Sequence, residues 1–126
     1  MKRTPLIAAK APGAVGPYSQ GISSAGMVFL SGQIPLRADG SMAPGGIAAH
    51  TEQCLANVRE VLIAAGLTMN DVVKTTVFMT DLGQFAAMNE AYGKYFMPPF
   101  PARSTVQVAA LPKGADIEIE AVAVRP

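Results

Sequence analysis

Ile117-Glu118-Ile119-Glu120-Ala121-Val122-Ala123-Val124 alternates without a break. A period of two marks a strand with one side turned to a core. Ile117, Ile119, Ala121 and Ala123 share one side, and Glu118 and Glu120 share the other with Val122 and Val124, so two carboxylates interrupt an otherwise apolar strand. Upstream, Leu111-Pro112-Lys113-Gly114 has the proline and glycine of a tight turn. Arg103 to Val108 reads as the strand before it, with Arg103, Thr105 and Gln107 on one face. A simple antiparallel pairing of these two strands sets that face beside the glutamates, and a slip of one residue separates them.

Further out, Val72 to Met79 is a β-branched strand, and the capping-box spacing Thr68-Met69-Asn70-Asp71 before it starts at most a turn. Asp81, with Gln84 three residues later, caps a helix whose Phe85, Met88, Tyr92 and Tyr95 or Phe96 line one face; Pro98, Pro99 and Pro101 end it. Ile47, Cys54, Leu55, Val58, Val61, Leu62 and Ala65 recur at helical spacing up to Gly66, which suits a helix C-terminus. Met27 to Leu30 reads as a short buried strand ending near Ser31-Gly32, and any strand at Leu6-Ile7 stops before Pro12. Arg37 to Gly46 is a hairpin or loop. The order strand, strand, helix, strand, helix, strand, strand predicts an α+β sheet with helices on one face. Each half offers strand material around one helix, a weak hint of internal repetition.

The 126 residues correspond to one compact domain, 1–126, at the usual ~150 residues per domain. Half the residues are hydrophobic and 15% are charged, which excludes intrinsic disorder. The net charge of +1 and the dispersed lysines and arginines speak against an electrostatic nucleic-acid binder. Lone Cys54 and lone His50 supply neither an internal disulfide nor a Cys/His zinc site. Met1-Lys2-Arg3 precedes an apolar stretch too short for a signal peptide, and no run approaches the ~18 residues of a membrane span. A reducing, cytoplasmic location is expected, with no membrane partner. So much apolar surface on so small a chain points to a subunit interface.

Arg103 and the glutamates invite two readings: a cleft where the guanidinium fork grips a substrate carboxylate while a glutamate handles protons or water, or a cross-strand ion pair. His50 reads as a polar helix residue or, alternatively, a catalytic one. Cys54, on the apolar helix face, reads as packing, as do most of the methionines. No glycine cluster has a phosphate-loop pattern.

Pro101 to Leu111, then five residues, then Ile117-Glu118-Ile119, resembles the signature of the RidA family. Gly16-Pro17-Tyr18-Ser19-Gln20-Gly21, Ser31-Gly32-Gln33-Ile34-Pro35, Asn57, Val73 to Phe78, Asn89 and Tyr92 resemble the family pattern in order and spacing. The resemblance implies a chorismate-mutase-like α+β fold with a six-stranded sheet and two helices on one face. It also implies a homotrimer with clefts between subunits and hydrolysis of 2-imino acids such as 2-iminobutanoate and 2-iminopropanoate to 2-oxo acids and ammonia, without metal or organic cofactor. By the same resemblance, Arg103 pairs with the substrate carboxylate, Glu118 positions water and relays a proton, Tyr18, Ser31 and Gly32 line the pocket, the Thr105 backbone meets the imine end, and Asn89 holds neighbouring loops. Thr105 stands where many relatives carry cysteine, which removes thiol chemistry there; His50 stands where glutamine is common. The alternatives are a deaminase of another substrate such as 2-aminomuconate, a non-enzymatic metabolite binder, or a translation-inhibiting ribonuclease.

Overall fold

In the computed structural model, which describes residues 2–126, eight elements follow one another: β1 (Thr4–Leu6), β2 (Gly21–Ser24), β3 (Met27–Gln33), α1 (Ile47–Ala64), β4 (Val72–Met79), α2 (Phe85–Gly93), β5 (Ala102–Gln107) and β6 (Ile117–Val124). The six strands form one sheet in the order β1-β2-β3-β6-β4-β5. All neighbours are antiparallel except β4 and β5, which run parallel. Both helices pack on one side of it. The fold expected from the sequence is therefore present, with one strand, β2, that its pattern did not reveal. Gly21-Ile22-Ser23-Ser24 lacks apolar alternation; it becomes a strand because Ala25 and Gly26, both at positive φ (52° and 78°), turn the chain directly back into β3.

The core is what the two periodicities predict. Ile117, Ile119 and Ala123 are fully buried, facing Cys54, Leu55, Val58, Val61 and Leu62 from the inward stripe of α1, all likewise at 0% exposure. The α1 helix ends just before Gly66, whose φ of +75° supplies the left-handed residue that closes a helix at low cost. The Thr68–Asp71 capping box forms one 3₁₀ turn, and Asp81 caps a second short turn that leads into α2.

One pairing differs from expectation. The β5 and β6 strands are not neighbours: β6 lies between β3 and β4, and β5 lies on the outer edge beside β4, with Arg103 opposite Thr75 and Val106 opposite Phe78. The apolar side of β6 needs a flanking strand on both edges, whereas Arg103, Ser104, Thr105 and Gln107 tolerate an edge. Pro112–Gly114 accordingly forms a 3₁₀ turn, with Lys113 at φ +58°, on a connection that bypasses β4.

Inside the core, Thr75 (0% exposed) and Tyr92 (5%) join their hydroxyls at 2.7 Å. Tyr92→Phe should strand the Thr75 Oγ1 atom and cost about 1–3 kcal/mol in a denaturant melt. Adding Thr75→Val should recover most of that loss; a double variant as unstable as the single one would mean that the hydroxyl pair is not what the site depends on.

Candidate functional site

Tyr18, Ser31, Gly32 and Glu118 line one hollow of about 620 Å³, together with Gln20, Ile34, Leu36 and Lys113. A bulge in β3 builds it. Leu30 pairs with Ala121 and Gln33 with Ile119, so three steps along β3 match two along β6. Leu30 and Gln33 both turn inward (5% and 6% exposed), leaving Ser31 and Gly32 between them. The Glu118 carboxyl lies against Gly32, where an added Cβ would come within 2.8 Å of its Cδ. Glycine is thus required there to give that carboxyl room.

Hydrogen bonds fix the walls of this hollow. Gln20 donates from Nε2 to the carbonyls of Ala8 (3.0 Å) and Pro12 (2.8 Å) and accepts from the Ala8 N–H (2.7 Å). The Ser31 hydroxyl donates to the Ser19 carbonyl at 2.6 Å. Asn57, 1% exposed on α1, donates to the Leu36 carbonyl at 2.8 Å. Tyr18 is exposed, its hydroxyl accepting from the Val15 N–H at 3.3 Å. Glu118 is half-buried; burial, and secondarily the Glu120 charge beside it, push its carboxyl above the usual carboxylate range.

A second hollow, of about 410 Å³, is lined by Asn89, Tyr92, Gly93, Phe100, Pro101 and Arg103. The Arg103 guanidinium stacks 4.8 Å from the Tyr92 ring centroid and 5.5 Å from that of Phe85, a cation–π arrangement that orients the fork without occupying its in-plane donors. Burial pushes the Tyr92 hydroxyl up, against the opposing pull of its Thr75 bond and the Arg103 charge. Thr105 lies on the Arg103 side of β5, two residues on, at the free edge of the sheet. Asn89 is exposed and makes no side-chain hydrogen bond among the described residues; the asparagine that holds loops is Asn57.

The two hollows are on opposite sides of the sheet. Residues paired across strands share a face, so Arg103 goes with Thr75, on the helix side, and Glu118 goes with Phe78, on the open side. The convergence of Arg103 with the glutamates expected from a hairpin is therefore absent within one chain, because β4 intervenes and reverses the face. The cross-strand ion pair goes with it: Arg103 has no carboxylate partner among the described residues.

His50 and Cys54 stand outside both linings. The His50 Nδ1 atom is 2.7 Å from Asp116 Oδ1, and Nε2 is 2.9 Å from the Ala43 carbonyl. Cys54 is fully buried, with its thiol pushed well up by burial and by the Asp116 and Glu118 charges, which makes it inert packing. Sequence reasoning attached no role to Gln20, Phe85, Phe100 or the Asn57 clamp. A buried asparagine on an apolar helix stripe was the available signal for the last. Among the described residues no cluster of three or more His, Cys, Asp or Glu could hold a metal ion, and no helix is long and apolar enough to cross a membrane.

Comparison with known proteins agrees with this architecture. Residues 8–125 match the sequence model of the family described as Endoribonuclease L-PSP. The Myxococcus xanthus protein DfrA is 50% identical over 98% of this chain and 97% of its own length. The human protein named 2-iminobutanoate/2-iminopropanoate deaminase is 48% identical over 98% of this chain and 90% of its own. The crystal structure of Escherichia coli TdcF with bound serine superposes with a TM-score of 0.93 at 45% identity, covering 98% of this chain and 99% of that one. With the profile match spanning nearly all the residues and relatives this similar over their full lengths, the chain belongs to the RidA family, whose sequence model carries the Endoribonuclease L-PSP description.

Proposed function

We propose that this chain is an enamine/imine deaminase that converts small 2-imino acids such as 2-iminobutanoate and 2-iminopropanoate to 2-oxo acids and ammonia. It does so as a homotrimer whose sites each join the Arg103 hollow of one copy to the Glu118 hollow of another. The observation that carries this reading is the state of Arg103: stacked on two rings, facing a hollow, and without a carboxylate of its own among the described residues. A guanidinium held in that way is a receptor for a planar carboxylate. The identity to a human imine deaminase supports the same chemistry.

The reaction asks little of the protein. Water adds to the C=N carbon, the nitrogen takes up a proton, and the resulting carbinolamine collapses to the ketone as ammonia leaves. Arg103 fixes the carboxylate end, which orients the C=N bond. Glu118, with its proton affinity raised by burial and by the Glu120 charge, accepts a proton from the attacking water and returns one to the departing nitrogen. Tyr18, Ser31 and Gly32 shape the wall, and the free edge of β5 at Thr105 offers backbone groups to the imine end. Thr105, a hydroxyl rather than a thiol, brings no redox chemistry to that edge. No metal or organic cofactor enters these steps.

The open side of the sheet supports assembly. Met27, Phe29, Val106 and Val124 are 37%, 45%, 40% and 39% exposed there, beside Glu118 and Glu120, and an apolar sheet face of this kind calls for a second copy. Cytoplasmic residence and a small 2-imino or 2-oxo acid as the only ligand complete the proposal. The family description makes the ribonuclease reading a fair rival, but the net charge of +1 and scattered basic residues do not build a phosphate-binding face. Freedom from RNA cleavage after rigorous nuclease removal would dismiss that rival, and a substrate panel including 2-aminomuconate separates the deaminases.

Added to a threonine dehydratase reaction, the protein should speed 2-oxobutanoate release; no acceleration would refute the activity. Arg103→Ala should lower kcat/KM by roughly 100-fold through KM, and Glu118→Gln should lower kcat by about 100-fold. Gly32→Ala should fold normally, since the colliding atoms end a flexible side chain, yet lose turnover by displacing the carboxyl. Stability should move the other way. A carboxyl whose folded pKa is raised weakens the fold as pH rises from the ordinary glutamate range through that raised value, so Glu118→Gln should melt above the wild type at pH 7 and level with it near pH 4. A wild type that melts higher than Glu118→Gln at pH 7 would contradict the burial cost.

A further inference from the structure

We propose that His50 is a positioning residue of the Glu118 hollow, its two ring nitrogens clamping one wall of the hollow to the start of the strand bearing Glu118. The inference rests on the assignment of that hollow to catalysis and extends it to a residue outside the lining.

His50 lies one turn into α1, with its side chain 13% exposed. One end of the ring reaches the Ala43 carbonyl at 2.9 Å. Ala43 closes the 34–46 loop, donating its N–H to the Pro35 carbonyl at 2.9 Å, and Ile34, Leu36 and Gly40 of that loop line the hollow. The other end reaches Asp116 Oδ1 at 2.7 Å. Asp116 is two residues before Glu118, and its own carbonyl accepts from the Thr80 N–H at 3.1 Å, anchoring the entry to β6 beside β4. One imidazole thus joins helix, loop and strand where the two sides of the hollow meet.

The chemistry of the two partners defines the ring. A carbonyl oxygen only accepts, so Nε2 serves as the donor to Ala43, which turns Nδ1 to the Asp116 carboxyl. A carboxyl oxygen at the Nδ1 end is an acceptor, so a side chain that turns its own oxygen on it sets two acceptors face to face. The charged groups around the ring are few. Asp116 faces it from the β6 entry, and Cys54, one turn on in α1, feels the charges of both Asp116 and Glu118. In the loop, Arg37 and Asp39 are exposed, Asp39 being held by Ser41. Glutamine, with one donor end and one acceptor end, cannot replace this device alone, but it can when Asp116→Asn accompanies it. The glutamine nitrogen then serves the Ala43 carbonyl, while its oxygen accepts from the side-chain amide that the second substitution introduces.

The test uses the full chain and its single histidine. Carboxyl ¹³C titration of Glu118 reads the positioning without any substrate. In His50→Gln the loosened wall admits water, and the midpoint should move toward the ordinary glutamate value by roughly half a pH unit; in His50→Gln/Asp116→Asn it should return. The kcat of the imine reaction should follow, falling about tenfold in the single variant with KM nearly unchanged and recovering to within about threefold in the double. A Glu118 titration unmoved by His50→Gln, or a double variant no better than the single, would overturn the clamp. Absence of imine hydrolysis in the wild type would instead strike the deaminase assignment and leave the Glu118 titration to decide the clamp.

Discussion

The placement of β6 between β3 and β4 governs the rest. Its inward side, Ile117, Ile119, Ala121 and Ala123, seals the core against α1, while its outward side carries Glu118 into the open. With that position taken, β5 can only add to the far edge of β4, and the parallel register that results turns Arg103 toward the helices. The basic and acidic groups of the proposed site are thereby separated by the thickness of a sheet. A chain folded this way presents two hollows on opposite faces of the sheet, and the proposed assembly would bring one of each together across its apolar open face.

Each hollow is made stiff by a different means. Around Glu118 the walls are loops, and loops are held by buried amides and a hydroxyl: Gln20 on the 8–12 segment, Asn57 on Leu36, Ser31 on Ser19. These contacts satisfy backbone groups that a solvent-facing hollow would otherwise leave to water. Around Arg103 the support is regular structure, with the guanidinium resting on the rings of Tyr92 and Phe85 and Tyr92 pinned by Thr75 beneath. The Arg103 hollow is rigid, while the Glu118 hollow sits among segments whose geometry depends on a few hydrogen bonds.

Much of this was legible in the amino-acid sequence. The alternation over Ile117–Val124, the stripe from Ile47 to Ala65 and the caps at Thr68 and Asp81 each follow from a local period or a local hydrogen bond, and each appears in the fold. What failed was non-local. The turn residues Pro112 to Gly114 suggest a hairpin, but strand order is decided by which strand most needs cover on both edges, and that comparison spans the whole sheet. The bulge at Ser31-Gly32 and the β2 strand were hidden for a related reason: both are defined by the strand beside them, not by their own side chains. Arg103, Glu118, Tyr18, Ser31 and Gly32, which the quoted motifs singled out, line hollows, yet no spacing rule could tell that they divide between two.

The central claim, that one working site draws Arg103 and Glu118 from different copies, is tested most directly by mixing two inactive proteins. Arg103→Ala and Glu118→Gln chains, unfolded together in equal amounts and reassembled, should regain about one quarter of the wild-type imine hydrolysis rate, the fraction of interfaces at which random assembly pairs an intact arginine with an intact glutamate. A mixture no more active than its two components would place both groups in a single chain's site and contradict the account.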